Sequence, residues 1–382
     1  MRFPGLPFSI TVITRLPVWE SSVSAVPRAQ GFVMFEGGEV VPLVAGKLLY
    51  DDDVREGWIE VADGKVVDLG DGKPPAKPDA TGWVVPAPVN AHTHVADACL
   101  RSRPNKPTTV PELVGPGGWK QRELASAAHD QLRQGVIQYV DEMAAIGTAR
   151  FLDFRETGLA GVTFLRSLSQ DLAVQPFIMG RPTGFTFHDT EAIGLMREVD
   201  GIGLSALRDF PRREDAEAWA EAAHKAGKPL ALHASEAKHE DIEDVLALEP
   251  EFLVHCTQAT DDDFDAIGDE GATVVVCPRS NAHYGMKTPL DRMREAGVTV
   301  AVGTDNGMLN DGNLLAELGQ LHDWFPAVPV EQLLRMATIH GRALVGLRGL
   351  PSRKGAAVDL VVLPDQPWGK RASGRPGFTV PA

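Results

Sequence analysis

The chain has 382 residues, of which 43% are hydrophobic and three are cysteine. Lys and Arg total 37 against 52 for Asp and Glu, and the resulting formal charge of −15 repels phosphate backbones and argues against general nucleic-acid binding. The apolar fraction excludes global disorder, and no run of about 18 apolar residues offers a membrane span. Cys99, Cys256 and Cys277 are too few and too scattered for a disulfide framework, which fits a reducing cytoplasm.

Residues 1–30 read as an irregular or strand-forming extension. Pro4, Pro7, Arg15 and Pro17 interrupt its apolar stretches, so it lacks the unbroken core of about 7–15 residues that a secretory signal needs. Residues 31–85 carry short β-like runs split by turn signals. Trp58-Ile59-Glu60-Val61 and Val66-Val67 flank Asp63-Gly64, a pair that signals a hairpin. A Pro-rich connector covers 73–78.

From 86 to 347, buried-strand runs alternate with helical patterns. Strands are predicted at 84–94, 149–155, 173–179, 201–208, 229–234, 252–256, 273–277 and 299–303, with helices such as 213–226 and 330–345. Eight strands alternating with helices over about 250 residues is the arithmetic of an α/β fold, a (β/α)8 TIM-type barrel. A further β-like run at 358–363 precedes a Gly/Pro/Arg-rich tail.

Such barrels place their chemistry at the C-terminal ends of the strands. Strand one ends in His92-Thr93-His94, strand five in His233-Ala234-Ser235-Glu236, strand six in His255-Cys256 and strand eight in Gly303-Thr304-Asp305-Asn306. Side chains alternate along a strand, so His92 and His94 face the same way, about 6.5–7 Å apart. With His233 and Asp305 they form a set of three nitrogens and one oxygen that suits one divalent ion, zinc first, with iron or manganese open. Such an ion lowers the pKa of a bound water toward about 7. Glu236, three residues after the third histidine, can deliver a proton to a leaving nitrogen.

Pro86-Ala87-Pro88-Val89-Asn90-Ala91-His92-Thr93-His94 resembles the first-strand signature of the amidohydrolase superfamily. Cys277-Pro278-Arg279-Ser280-Asn281 and Gly303-Thr304-Asp305-Asn306 are similar to the seventh and eighth strand ends of its deaminase and chlorohydrolase branch, the cytosine-deaminase-like one. Ala337-Thr338-Ile339-His340-Gly341-Arg342-Ala343-Leu344 resembles the closing helix, and 355–362 the return of the chain into a small β-sandwich. The resemblance implies three parts: the extension 1–30, a barrel over 86–347, and a sandwich joining 31–85 to 348–382. It also implies acid/base work for Glu236, metal ligation and acceptance of the water proton for Asp305, and a hydrogen bond from His255 that orients water or steadies an oxyanion. Binuclear members bridge two metals with a carboxylated Lys, usually after strand four. The run 201–210 has no Lys, so a single metal is expected.

Arg155, Arg181, Arg208 and Arg279 fall at or just past predicted strand ends. Four guanidinium groups around one mouth in an acidic chain suggest a substrate bearing a carboxylate or phosphate, and Asn281 joins this substrate-binding set. His129 sits on a polar helical face and reads as an ordinary solvated histidine. The Pro- and Gly-rich segment 101–121 could cover the mouth as a lid.

The expected activity is replacement of a ring amino group by oxygen with loss of ammonia, on a purine-, pyrimidine- or pterin-like small molecule. Hydrolysis of a cyclic amide or imidazolone, or a chlorohydrolase-like displacement, would use the same groups. A catalytically silent scaffold would be expected to lack one of the ligands. No Pro-Cys-x-x-Cys run, His-Glu-x-x-His helix, Gly-x-Ser-x-Gly elbow or phosphate-binding Walker loop occurs. Members of this superfamily often self-associate, so a homo-oligomer is open.

Overall fold

The computed structural model describes residues 11–13 and 42–368; the rest of the N-terminal extension and the tail from 369 lie outside the described residues. Five strands open the chain: β1 (Thr11–Ile13), β2 (Leu43–Leu49), β3 (Val54–Ala62), β4 (Lys65–Asp71) and β5 (Ala80–Pro86). Then come β6 (Val89–His94), β7 (Arg150–Arg155), β8 (Gln175–Gly180), β9 (Gly201–Leu204), β10 (Leu230–Ala234), β11 (Phe252–His255), β12 (Thr273–Val276), β13 (Thr299–Val302) and the short β14 (Asp305–Asn306). The last is β15 (Leu360–Leu363).

The first sheet has six strands in the order β1-β15-β5-β2-β3-β4, so it joins both ends of the chain. Its hairpin turns at Asp63-Gly64, both with positive φ (50° and 67°), the backbone a type I′ turn requires. Residues just before β15 also meet the far edge: Val66 N–H donates to Ala356 O, and Gly355 N–H to Val66 O. The sheet therefore curls around its own small core of Val44, Leu48, Ile59, Val61, Val66, Val84, Leu360 and Val362. Among the described residues this is one curled sheet, where the sequence led us to expect two facing ones.

The second sheet has nine strands in the order β13-β12-β11-β10-β9-β8-β7-β6-β14. The named pairings are parallel, and together the strands fit a TIM-type barrel. The runs are apolar on both faces, as parallel strands covered by helices must be. Leu152, Phe154, Ala231, Val254, Val275 and Ala301 share one cluster, while Phe151, Ile178, Leu232, Leu253, Val274 and Val300 belong to another with the helices.

Three predicted elements differ. The run 84–94 is two strands, because Pro86 and Pro88 lack the N–H groups a continuous ladder needs; the chain leaves one sheet at Pro86 and enters the other at Val89. The fourth barrel strand stops at Leu204 and passes to a 3-10 turn at Leu207–Asp209. The predicted helix 330–345 is broken by a π turn at Met336–His340.

The eighth barrel position is shared by β13 and β14, with the break at Gly303-Thr304. β13 pairs with β12, whereas β14 pairs with β6. Gly303 N–H donates to Val276 O and Thr304 N–H to His92 O, so these two residues carry the chain from one neighbour to the other. A Cβ at Gly303 would lie 2.6–2.7 Å from the backbone and Cβ of His92, so no larger residue fits without moving strand one. Among the described residues no helix is long and apolar enough to cross a membrane. Gly303→Ala should lower stability by about 1–3 kcal/mol, the usual cost of overpacking a closed core. Denaturant unfolding of the two proteins measures it, and an unchanged midpoint would refute this reading of the strand break.

Candidate metal centre and active-site cavity

β6 pairs with β7 in a register that shifts between Asn90 and Thr93, a bulge that takes in His92. Thr93 Oγ1 donates to Leu152 O, and Val95 N–H donates to Asp153 Oδ1 at 2.7 Å, which fixes the strand end. Asp305 lies beside Thr93 and Asn306 beside His94 in the β14–β6 ladder. The four groups selected from sequence as ligands do converge. The His92 ring centroid lies 4.9 Å from that of His94 and 5.0 Å from that of His233. Asp305 Oδ1 lies 3.4 Å from His92 Nε2 and 3.6 Å from His94 Nε2. His92, His94 and His233 can bring ligand atoms within 4.8 Å of one another, and so can His92, His255 and Asp305.

The arrangement fits a divalent cation on physical grounds. His92 is fully buried, yet neither ring nitrogen has a hydrogen-bond partner, a costly state for a polar group unless something else meets it. His233 Nδ1 lies 2.9 Å from Leu204 O; as the donor there it leaves Nε2 bare for coordination. Burial pushes the His92 imidazole down to about 3, and burial with the nearby His92 and Arg181 charges holds His233 well below its usual value. Both are therefore neutral, the form that binds a metal. The second carboxylate oxygen of Asp305 is already engaged. It accepts from Ser280 Oγ at 2.5 Å and from Asn306 Nδ2 at 2.7 Å, which turns Oδ1 toward the imidazoles. Burial works against the Asp305 charge, but the His92, His255 and His94 rings outweigh it and hold the carboxyl well below the usual range.

Glu236 and His255 stand on the same rim, with His255 Nε2 3.8 Å from Glu236 Oε1. Burial pushes the Glu236 carboxyl upward, which favours its protonated form. A cavity of about 400 Å³ is lined by His94, His233, Glu236, His255, Asp305 and Asn306. A second cavity of about 730 Å³ adjoins it, walled by Leu124, Leu132, Phe164, Phe185 and Phe210. Val114, Pro116, Lys120, Gln121, Arg181, Phe185 and Ser205 line both. His129, read as an ordinary solvated histidine, lines this second cavity, its ring 5.1 Å from that of Phe164.

The proposed substrate-binding residues divide. Arg181 and Arg208 line the metal cavity. Arg181 donates to Ser205 Oγ and has Nη1 3.7 Å from Glu156 Oε1, while Arg208 pairs with Glu240 at 3.1 Å. Arg155 is buried against Glu156 (2.9 Å) and Asp153 (3.8 Å) and touches the second cavity alone. Arg279 lines neither cavity: its Nε lies 3.0 Å from the fully buried Glu317 and its Nη1 2.6 Å from Asp311. Asn281 is also fully buried and accepts from Thr288 Oγ1 at 2.9 Å. For Arg279, internal carboxylates thus take the guanidinium that a substrate would need, whereas Asn281 has only its Oδ1 engaged and its buried Nδ2 meets no partner.

Sequence reasoning missed Lys120. It stands on the helix Trp119–Ser126, within the segment that walls both cavities, and is nearly fully buried. Its Nζ lies 2.8 Å from Asp97 Oδ2 and 2.7 Å from Glu156 Oε1. The same Glu156 oxygen lies 2.8 Å from His94 Nδ1. Burial opposes the Glu156 charge, but Lys120, His94 and Arg155 hold its carboxyl well below the usual value, whereas burial pushes Asp97 up to about 6. The only signal in the sequence was a basic residue in a Pro- and Gly-rich stretch, and its two partners lie far away in the chain.

Comparison with known proteins agrees with this geometry. The amidohydrolase family model matches residues 83–370. A protein of Methanothermobacter thermautotrophicus, provisionally named an aminohydrolase, is 30% identical over 79% of this chain and 85% of its own length. A 5-methylthioadenosine/S-adenosylhomocysteine deaminase of Halobacterium salinarum is 29% identical over 75% of this chain and 74% of its own. An adenosine deaminase from Xanthomonas campestris, solved with bound zinc, superposes with a TM-score of 0.64 at 20% identity, covering 84% of each chain. A structural rather than substrate-binding role for Arg279 has a direct test. Arg279→Met strands the buried Glu317 and should destabilise the protein by about 3–5 kcal/mol in denaturant titration. A raised KM at unchanged stability would restore Arg279 to the substrate site.

Proposed function

The chain belongs to the amidohydrolase family and is a hydrolase of C–N bonds, and on that premise we propose that it is an aminohydrolase acting on a ring amino group. The reaction adds water to the ring carbon and expels the amino group, so C–NH2 and H2O give C=O and NH3. The observation that carries the reading is the convergence of His94, His233 and Asp305, with the buried His92 behind them, and the Glu236–His255 pair at one cavity of about 400 Å³. One divalent ion, zinc by preference, held by His92, His94, His233 and Asp305, would supply Lewis-acid activation of a water molecule.

The remaining steps belong to the chain's own side chains. Asp305 Oδ1, free of hydrogen-bond donors because Oδ2 takes them all, is the acceptor for the water proton. Glu236, with its protonated form favoured by burial, hands its proton to the ring nitrogen and recovers one from the added oxygen as C=O forms, while Asp305 passes the water proton to the departing nitrogen, so both carboxyl groups end as they began. His255 stands 3.8 Å from Glu236 and steadies charge that develops on the attacking oxygen. Asn306 and Ser280 hold Asp305 in place throughout.

We favour an aminopurine with a substituent over a bare base. Two observations support this. The halobacterial relative is named for adenine nucleosides. The metal cavity also shares a wall with a larger, mostly apolar one, which gives room for a group attached to the ring. Arg181 on that wall and Arg208 within the metal cavity leave an anionic substituent within reach. We assign the chemistry to the barrel, 86–347, and an accessory role to a domain joining 31–85 to 348–382, whose described strands form the curled sheet together with Thr11–Ile13, in a cytoplasmic setting.

Ammonia release from zinc-loaded protein, screened over aminated purines, pyrimidines and pterins with and without substituents, tests the reading. Ring opening without ammonia would replace it with cyclic-amide hydrolysis. Glu236→Gln should keep its metal by elemental analysis and lose about 10²–10⁴-fold in kcat. A near-normal rate would remove Glu236 from the mechanism.

A further inference from the structure

Glu156 Oε1 is shared by two groups with different origins. His94 Nδ1 reaches it at 2.8 Å from the end of β6, and Lys120 Nζ at 2.7 Å from the helix that walls both cavities. Arg155 uses the other oxygen, Oε2, and Arg181 stands farther off at 3.7 Å. Lys120 also closes on Asp97, which is itself fully buried. Without the ammonium, the Asp97 and Glu156 carboxylates would share one buried pocket with no cation between them. Their like charges would repel and drive Glu156 from its place beside His94.

A carboxylate 2.8 Å from His94 Nδ1 favours the tautomer that carries its proton there, which leaves Nε2, 3.6 Å from Asp305 Oδ1, bare for a metal. We propose that Lys120 is a positioning residue: its ammonium, delivered by the wall of the cavity, holds Glu156 against His94 Nδ1 and so fixes the His94 ring for the metal. This rests on the metal site described above. It makes the segment over the mouth part of the metal's outer support, and not only a cover.

Co2+ reports both affinity and ligand geometry, through competition with a chelator and through its visible absorption. Lys120→Met in the full chain should weaken Co2+ binding by about 10- to 100-fold and change the absorption bands. Glu156→Gln should do the same, and the double variant should lose little more than either single one. Asp97→Asn, which removes the other partner of Lys120 but does not touch His94, should bind and absorb like the wild type. If Lys120→Met fails to fold, the Lys120→Met/Asp97→Asn protein, which strands no carboxylate, is measured against Asp97→Asn instead.

Wild-type affinity and spectrum in the Lys120 variant would overturn the proposal, with Arg155 and Arg181 then sufficient for Glu156. Losses that multiply in the double variant would overturn it too. So would an Asp97→Asn defect as large as that of Lys120→Met, because Lys120 would then be a structural anchor only. A wild-type protein that binds no Co2+ would instead bring down the metal site itself, so the two failures are distinguishable.

Discussion

A single backbone hydrogen bond, from Thr304 N–H to His92 O, decides where the reactive groups stand. It joins the last barrel strand to the first and starts the ladder that sets Asp305 beside Thr93 and Asn306 beside His94. Side chains reinforce it. Asn90 Nδ2 donates to Thr304 Oγ1 at 2.7 Å, Asn90 Oδ1 accepts from Thr304 N–H at 3.0 Å, and the Tyr139 hydroxyl lies 2.7 Å from Thr304 Oγ1. Barrel closure and assembly of the site are thus one event. A chain that failed to close could not bring Asp305 to the imidazoles.

Closure also sets the electrostatic problem that the site has to solve. Around the histidines lie the buried carboxylates of Asp97 and Asp153 and the half-buried one of Glu156, met by Lys120, Arg155 and the partly exposed Arg181. That outer layer is close to neutral by count of charges. Inside it, Asp305 is the carboxylate that faces the imidazoles of His92 and His94, with its oxygens divided between protein donors and the open centre. Buried imidazole nitrogens without donors or acceptors are costly to leave alone. A cation at the centre meets them and the spare Asp305 oxygen together.

Much of this was legible because it is periodic or local. Strand–helix alternation gave the barrel, the alternation along β6 gave the His92 and His94 pair, and the strand-end rule selected His233, His255 and Asp305. The Asp-Gly turn was readable because only a few residue pairs tolerate two positive φ values in succession. What escaped was non-local. A charged residue near a strand end can face the cavity or an internal partner with the same local sequence. Arg279 went to Glu317, on the helix Leu314–Trp324, and Arg181 to the cavity, beside Ser205 and Glu156 past the ends of two other strands. Lys120 looked like a lid residue because its partners, Asp97 and Glu156, are adjacent only after folding.

The backbone at the rim shows why these strand ends in particular became the site. Ser235, His255, Cys256 and Asp305 all adopt positive φ, between 45° and 77°, a region that non-glycine residues seldom occupy. Ser235, His255 and Cys256 end or follow a strand that carries a site residue, and Asp305 opens β14 after the Gly303-Thr304 break; each turn takes the next side chain out of the alternation a continuous strand would impose. After β10 it separates Glu236 from His233, so that one rim offers both a ligand and an acid. At β11 it takes His255 itself out of the extended conformation that ends a strand. Such conformations persist only where surrounding contacts over-determine them. Here the contacts are on hand: Glu240 accepts from Ser235 N–H at 2.9 Å, Cys256 N–H donates to Ala234 O, and Ser280 and Asn306 hold Asp305. The apolar strands below supply the rigidity, and the rim spends part of it on holding reactive groups at angles an unconstrained chain would abandon.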